Sequence, residues 1–213
     1  MGNEIPDKNL FMICKALNHN ALSGLPEAYH VRPCRRDELE IWKAMPFDDA
    51  ETAAENSAYM SKFFHDVYGN QEGLFFEKCL FVCDRNDTPV GTCFAWKAYG
   101  LFTSIHWFKV LKGYEGRGIG RALLSIVMRG IKENEYPVFL HTQPASYRAI
   151  KLYSDFGFAF LTDPMIGNRT NDLEECLPIL KACMPRKEYE KLRFTKAPDD
   201  FLRAAETSRI NEF

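Results

Sequence analysis

The chain has 213 residues and a net charge of −2 at neutral pH, with 46% hydrophobic and 26% charged residues. This length is sufficient for one large domain that folds without disulfide or metal staples. The charge argues against a general binder of nucleic acid or membrane surfaces, because non-specific binding to phosphates needs many lysine and arginine residues acting together. We therefore expect a globular protein with neither kind of partner.

Seven cysteines are scattered along the chain, with no CxxC pair and no Cys/His spacing that suits zinc. The sequence therefore predicts reduced thiols and no metal site. No basic segment precedes a long apolar one near the first residue, and LFMIC at 10–14 is too short to span a membrane. We expect a cytoplasmic protein.

The first half of the chain predicts an extension followed by the start of a domain. Residues 1–27 form the extension, with a short helix around Leu10 to Leu17. The domain, predicted at 28–162, begins with the strand YHVRPC and two helical patterns between Asp37 and Val67. Strand patterns on either side of the turn NDTP then predict an antiparallel hairpin.

The second half predicts a strand SIHWFKV, a glycine-rich segment, and a helix with buried positions at helical spacing. A strand YPVFLHT follows, then a helix that ends at Gly157 and a short strand FAFL. Beyond Asp163 the patterns are helical, which predicts a C-terminal helical extension at 163–213, packed on the same domain.

The segment GYEGRGIGRALL, residues 113–124, raises the question of which ligand its glycines hold. Alternate glycines followed by a helix start suit an anion, because the first N–H groups of a helix lack partners. A Walker A loop needs Lys and Ser/Thr after the last glycine, where this chain has Arg121. A dinucleotide fingerprint needs a small residue at 121 or 123, and Arg121 and Leu123 stand there. Both alternatives fit poorly.

The same segment, read from Val110 as V-x-x-x-x-E-G-R-G-I-G-R-A-L-L, resembles the acetyl-CoA loop of the GCN5-related N-acetyltransferase (GNAT) family. SYRAIKLYSDFGF, residues 146–158, resembles the second signature of that family, and the likeness covers about 29–162. It implies an α/β (α+β) fold with a mixed, mostly antiparallel central sheet flanked by helices. It also implies acetyl-CoA as cosubstrate, bound where two strands splay apart, and no metal.

The resemblance implies a set of residues that bind the cofactor. Two positions depart from the family pattern, because Glu115 replaces Gln or Arg and Ser146 replaces Asn; we expect the Glu115 side chain to turn away from the phosphates. The implied set is Phe108, Lys109, Val110, Gly116, Arg117, Gly118, Ile119, Gly120, Arg121 and Ser146.

Acetyl transfer from a thioester to an amine requires a base, an oxyanion donor and an acid for the departing sulfur. The resemblance implies Tyr153 as the acid and a backbone N–H around Phe108 to Val110 as the oxyanion donor, for which a β-bulge would be the structural sign. His106 shares a strand face with Val110 and titrates near neutral pH, so it is the predicted base. His141 is the competing candidate.

The resemblance implies an acetyl-CoA-dependent N-acetyltransferase that moves the acetyl group by direct attack in a ternary complex. The expected acceptor is a primary amine, either on a small molecule or at an amino terminus. The alternative is a catalytically silent acyl-CoA sensor or interaction module of the same fold. The acidic residues at 37–56 either attract the amine or cap helices. A homodimer is possible on this sequence.

Overall fold

The computed structural model describes residues 5–208 and 210–213. Its main element is an eight-stranded sheet, and a separate two-stranded hairpin consists of β8 (Met165–Ile166) and β9 (Arg169–Thr170). The strands of the main sheet are β1 (Leu10–Cys14), β2 (His30–Pro33), β3 (Leu80–Cys83), β4 (Pro89–Ala98), β5 (Phe102–Val110), β6 (Val138–Thr142), β7 (Phe158–Leu161) and β10 (Phe194–Thr195).

The strands lie in the order β10-β7-β1-β6-β5-β4-β3-β2. Two neighbouring pairs, β5 with β6 and β7 with β10, are parallel, and the other pairs are antiparallel. The predicted fold class, a mixed and mostly antiparallel sheet flanked by helices, is therefore confirmed. The hairpin predicted around NDTP is also present as β3 and β4.

The helices cover both faces of the sheet, and no helix of the described residues is long and apolar enough to cross a membrane. Their bounds are α1 (Leu39–Ala44), α2 (Ala50–Glu55), α3 (Ser57–Phe63), α4 (Glu72–Lys78), α5 (Ile119–Arg129), α6 (Tyr147–Phe156), α7 (Leu173–Cys183), α8 (Arg186–Tyr189) and α9 (Asp199–Thr207). A π-helical turn at Phe64–Tyr68 follows α3.

The helix predicted around Leu10 to Leu17 is wrong. Leu10–Cys14 form a strand that is buried along its whole length and lies between β6 and β7, antiparallel to both. A run of five apolar residues is the pattern of a strand that is covered on both faces, and by periodicity alone it cannot be distinguished from a buried helix. The first described strand thus belongs to the middle of the sheet. The predicted domain limits of 28 and 162 remain a prediction.

Each face of the sheet carries its own apolar core. On one face α5 and α6 contribute Leu123 and Ile150 to a cluster with strand residues such as Met12 and Val82. On the other face, Trp42 of α1 belongs to a cluster with residues of α3, α4, β3 and β4. These two layers hold the sheet rigid, so side chains that project from the strand ends are fixed in place.

β5 and β6 separate after a short paired stretch. Their parallel pairing joins Thr103 to Val138 and Ser104 to Phe139 and goes no further. Just beyond that point β5 carries a bulge, because Thr92 faces Lys109 whereas Phe94 faces His106, leaving one extra residue on β5. Trp107, within the bulge, has a φ of 50°. The predicted bulge is present next to Phe108, and such irregularities often redirect backbone groups at functional sites.

Candidate active site

The glycine-rich segment forms a loop that leads into the first turn of α5. Gly116 and Gly118 have φ angles of 75° and 81°, a conformation that favours glycine, and Gly118 is the N-cap of α5. From Gly116 to Arg121, no backbone N–H has a hydrogen-bond partner among the residues that the structure describes. The loop therefore presents a run of free donors at the positive end of a helix dipole, which is a geometry that suits a phosphate.

Gly120 connects this loop to the divergence of β5 and β6. A β-carbon added at Gly120 would lie 3.2 Å from Phe108 Cζ and 3.6 Å from Val110 Cγ2. A larger residue would press on the Phe108 ring, so glycine allows the first turn of α5 to pack closely on the end of β5. The free N–H groups lie next to the strand that carries the bulge.

A cavity of about 550 Å³ occupies the space where β5 and β6 diverge. Five of the predicted site residues line it, namely His106, Phe108, Lys109, Ser146 and Tyr153. The glycine-loop residues and Val110 do not line it and adjoin it through Phe108. The predicted residues therefore lie in two adjacent places: some line the cavity, and the others form the surface loop with the free N–H groups.

Tyr153 projects from α6 into this cavity and is only 5% exposed. Its ring packs against Phe108 and Phe158, with centroids 5.7 Å and 5.8 Å away. Its hydroxyl has no hydrogen-bond partner among the described residues, and burial raises its pKa. Tyr153 is thus a protonated hydroxyl in an apolar wall, free to bond to a group that enters the cavity.

His106 is enclosed in a hydrogen-bonded network. Its Nδ1 lies 2.6 Å from the Tyr68 hydroxyl and its Nε2 lies 2.7 Å from Ser104 Oγ. Trp107 Nε1, which can only donate, bonds to the same Tyr68 oxygen at 3.1 Å. The Tyr68 proton therefore points at Nδ1, and Nε2–H donates to Ser104. The ring is neutral and fully used, and burial lowers its pKa to about 3.

This geometry does not favour the predicted role of His106 as the base. A base needs a free lone pair directed at the substrate, and both ring nitrogens of His106 already have partners inside the protein. The prediction that His106 shares a strand face with Val110 is wrong, because the bulge at Trp107 reverses the alternation of side chains along β5. Phe108 and Val110 pack against the apolar cluster that contains Tyr153, whereas His106 contacts Tyr68 and Phe94 of the cluster on the other face. The sequence could not reveal Tyr68, which comes from the π-helical turn and closes the network from the opposite side.

His141, the competing candidate, is differently placed. It is half-buried at the end of β6 and lines the cavity, and its Nε2 lies 2.9 Å from Asn9 Oδ1. This bond fixes the proton on Nε2 and leaves Nδ1 as an acceptor with no partner within the described part of the chain. Burial, assisted by the positive charge of Arg169, lowers the pKa of His141 to about 3.

The three basic residues of the implied cofactor-binding set already have partners. Arg121 is bonded to Asp155 at 2.5 Å and Lys109 to Asp48 at 2.7 Å. Arg117 donates to the Gly113 carbonyl oxygen at 2.8 Å and to the Tyr29 hydroxyl at 3.3 Å. The free donors of this loop are therefore its backbone N–H groups more than these side chains.

The acidic residues at 37–56 are engaged in local structure. Glu38 pairs with Arg32 at 2.7 Å, and Asp48 pairs with Lys109. Asp49 caps α2 by accepting from the Thr52 N–H at 2.8 Å. None of these acids lines the cavity, so the interpretation of this segment as helix caps and ion pairs fits the structure better than an amine-attracting surface.

Sequence reasoning missed several cavity residues. Arg169, on the hairpin strand β9, lies outside the segment that resembles the family, and so do Asn9 and Phe213. Tyr59, which falls within the helical patterns between Asp37 and Val67, also lines the cavity. Spacing provides no signal for these residues, because they come together through the tertiary fold.

One group of side chains elsewhere has the composition of a metal site. Ligand atoms of His30, Cys83 and Asp87 lie within 4.8 Å of one another. Asp87, however, accepts from Arg32 Nε and Arg35 Nη2, both at 2.7 Å. The two guanidinium groups neutralise this carboxylate, so the group is better described as an ion-pair cluster.

A family model described as the acetyltransferase (GNAT) family matches residues 39–158, which is more than half of the chain. The chain belongs to the GNAT family. The match contains both the glycine loop and Tyr153, which lines the adjoining cavity. GNAT proteins typically use acetyl-CoA as cosubstrate.

Solved GNAT structures resemble this one at low sequence identity. An acetyltransferase from Staphylococcus aureus Mu50 is 19% identical, covers 60% of this chain and 81% of its own, and has a TM-score of 0.45. Proteins from Sphaerobacter thermophilus and Colwellia psychrerythraea are 19% and 10% identical, with TM-scores of 0.46 and 0.49. They cover 68% and 73% of this chain and 47% and 53%, about half, of their own. No curated protein sequence matches the chain.

The residues present fit acetyl-CoA. The run of free N–H groups from Gly116 to Arg121 matches a pyrophosphate, and an added β-carbon at Gly116 would meet nothing within 4 Å, so the loop is open to a ligand. The adjoining cavity has room for the pantetheine end. The family membership thus agrees with the local geometry, but it does not identify the acceptor.

Proposed function

We propose that the protein is an acetyl-CoA-dependent N-acetyltransferase that moves an acetyl group to a primary amine by direct attack in a ternary complex. The observation that carries this proposal is the adjacency of a phosphate-sized run of free N–H groups and a cavity into which Tyr153 projects. The proposed binding residues are the loop from Gly116 to Arg121, the strand end from Phe108 to Val110, and Ser146.

In this proposal, Tyr153 protonates the departing sulfur. An ordinary thiol titrates near ~8.5 and a tyrosine near ~10, so the tyrosine is the weaker acid. Burial raises the pKa of Tyr153 further. The same apolar wall also disfavours a thiolate, so the pKa of the departing thiol rises for the same reason. The pKa values of the two groups therefore stay close enough for proton transfer. The bond from carbon to sulfur breaks as the amine nitrogen bonds to the carbonyl carbon.

His141 is the proposed base. His141 lines the cavity, its Nδ1 has no partner among the described residues, and the Asn9 bond holds the ring in one tautomer. A base that stays neutral at pH 7 is ready to accept the proton, although a low pKa limits the driving force for the proton transfer.

The bulge around Trp107 is proposed to direct a backbone N–H at the carbonyl oxygen. A contact of this kind typically lowers the activation barrier by roughly 3 to 4 kcal/mol.

The test is thiol release from acetyl-CoA in the presence of a panel of amines. Release that requires an amine and yields an acetylated product supports the proposal. Tyr153→Phe and His141→Gln should each lower kcat by about 100-fold, whereas His65→Gln, which does not line the cavity, should not. Tight coenzyme A binding without release on any amine would instead favour the sensor.

A further inference from the structure

Tyr68 is a buried residue whose hydroxyl bonds to two consecutive residues of β5. Its side chain is fully buried, and its oxygen lies 2.6 Å from His106 Nδ1 and 3.1 Å from Trp107 Nε1. Tyr68 is the last residue of the π-helical turn after α3, so it reaches β5 from the helical layer that covers the sheet. One hydroxyl group therefore joins this layer to Trp107 of the bulge and to the residue before it.

The bulge is what allows both side chains to reach this hydroxyl. Successive side chains of a regular strand point to opposite faces of the sheet. Here His106 and Trp107 both pack on the face of the cluster that contains Trp42, whereas Phe108 packs on the opposite face. The extra residue of the bulge produces this change in alternation. In a regular strand the Trp107 indole would point away from Tyr68.

The backbone of the bulge needs support because it is strained. Trp107 has a φ of 50°, a conformation that is rare for a bulky side chain and persists only where the surroundings hold it. Its indole packs on Trp42 and Phe63, with ring centroids 5.7 Å and 5.1 Å away. The single polar atom of the indole donates to Tyr68. Packing thus confines the ring, and the bond to Tyr68 fixes its direction.

The rest of the network is closed within β4 and β5. His106 Nε2 lies 2.7 Å from Ser104 Oγ, and this hydroxyl donates to the Trp96 carbonyl oxygen at 3.3 Å. The donors therefore all point one way, from the Trp107 indole through Tyr68 and the imidazole to the backbone of β4. Fully bonded buried networks of this kind rigidify the segments that they join. Of the residues in this network, Tyr68 is the one that comes from outside the two strands.

We propose that Tyr68 is a positioning residue, which holds the β5 bulge in the conformation that directs a backbone N–H at the thioester carbonyl oxygen. This inference rests on the proposed function, in which the bulge supplies the oxyanion donor. Such a donor is effective because it is fixed in advance, so that the chemical step requires no reorganisation. Tyr68 does not line the cavity, so it acts through Trp107 and touches no substrate itself.

The test removes the hydroxyl group alone, as Tyr68→Phe in the full chain. We expect kcat to fall by at least about 30-fold, because loss of one oxyanion donor typically lowers kcat by about 100-fold or more and a misdirected donor loses most of its effect. The Kd of coenzyme A should stay within about twofold, since the glycine loop is unchanged. The pH dependence of kcat should keep its shape, because the network transfers no proton to the substrate.

The matched control is Tyr136→Phe. The Tyr136 hydroxyl is buried without a hydrogen-bond partner in the described part of the chain, and Tyr136 does not line the cavity, so kcat and Kd should not change. Trp107→Phe removes the same bond from the other side and keeps an aromatic ring against Trp42 and Phe63. Circular dichroism establishes that each variant is folded, and if Tyr68→Phe does not fold, Trp107→Phe takes its place in every measurement.

A second measurement follows the donor itself and needs no turnover. In infrared spectra of bound acetyl-CoA that is isotopically labelled at the thioester carbonyl carbon, a hydrogen bond to the carbonyl oxygen lowers the stretching frequency. We expect this frequency to be higher in Tyr68→Phe than in the unmodified protein and in Tyr136→Phe, because the bond is weakened. The same frequency in all three proteins overturns the inference.

The kinetic outcomes separate the inference from the proposed function. Unchanged kcat in Tyr68→Phe, or a fall in kcat with an equal loss of coenzyme A affinity, overturns the inference and leaves the proposed function standing. A displaced acidic limb in the pH profile of Tyr68→Phe also overturns it, in favour of a proton path. Absence of thiol release by the unmodified protein with every amine overturns the proposed function instead, and the infrared comparison then decides the inference.

Discussion

The carboxylate of Glu115 is ion-paired with the guanidinium of Arg148, so that the loop before α5 is bonded to the first turn of α6. Both side chains are exposed to solvent to a large extent. Glu115 is the residue that departs from the family pattern, and Arg148 offsets the negative charge that it brings to the glycine loop.

Glu115→Gln should therefore tighten coenzyme A binding only slightly, by less than about fivefold, because exposed ion pairs contribute little and the charge is already offset. Arg148→Gln should weaken coenzyme A binding by a larger factor than Glu115→Gln tightens it, since it leaves the Glu115 carboxylate unpaired beside the loop. Calorimetric titration at low salt measures both effects. Tightening of more than tenfold in Glu115→Gln would mean that the carboxylate faces the phosphates.

Gly118→Ala should weaken coenzyme A binding because Gly118 has a φ of 81°, at which an alanine is strained by roughly 1 to 2 kcal/mol. Relief of this strain would rotate the N–H groups at the start of α5 away from their common direction. Gly113→Ala is the matched control in the same segment, since an added β-carbon there meets nothing within 4 Å and its φ is not positive. Equal affinities of the two variants would contradict a backbone cradle.

The parts of the site that sequence could predict are those encoded by local spacing. The glycine loop, the helix stop at Gly157 and the position of Tyr153 all follow from patterns within a few residues of one another. Gly118 precedes α5 and Gly157 follows α6, and both have the positive φ that a glycine at a helix terminus suggests.

The parts that sequence could not predict depend on contacts between distant segments. Tyr68 and His106 are 38 residues apart in the chain, and their bond changes the expected chemistry of the histidine. His141 and Asn9 are 132 residues apart. LFMIC shows no alternation because both its faces are covered, so only its neighbours β6 and β7 reveal that it is a strand.

Phe11→Ala tests the central position of this strand. Phe11 is fully buried and contacts Phe213, His141 and Arg169, so truncation should lower the free energy of unfolding by about 3 to 5 kcal/mol. Phe194→Ala removes the same side chain from the short strand β10, where Phe194 is 47% exposed, and should cost less than about 1 kcal/mol. Chemical denaturation measures both. Similar losses would argue against residues 10–14 as an internal strand.

The two histidines that line the cavity, His106 and His141, should make the protein less stable in mild acid. Burial lowers the pKa of His106 and His141 from 6.5 to about 3, so between these values the unfolded chain binds protons that the folded chain does not. Stability is therefore complete above pH 6.5 and is lost as pH falls, by up to about 1.4 kcal/mol per pH unit for each histidine. Between pH 5 and 6 ordinary carboxyl groups contribute little to this slope.

The test compares two variants over this pH range by chemical denaturation. His141→Gln should reduce the slope of stability against pH by the contribution of about one proton, whereas His19→Gln, at an exposed position, should not change it. An unchanged slope in His141→Gln would mean that this ring is protonated in the folded protein.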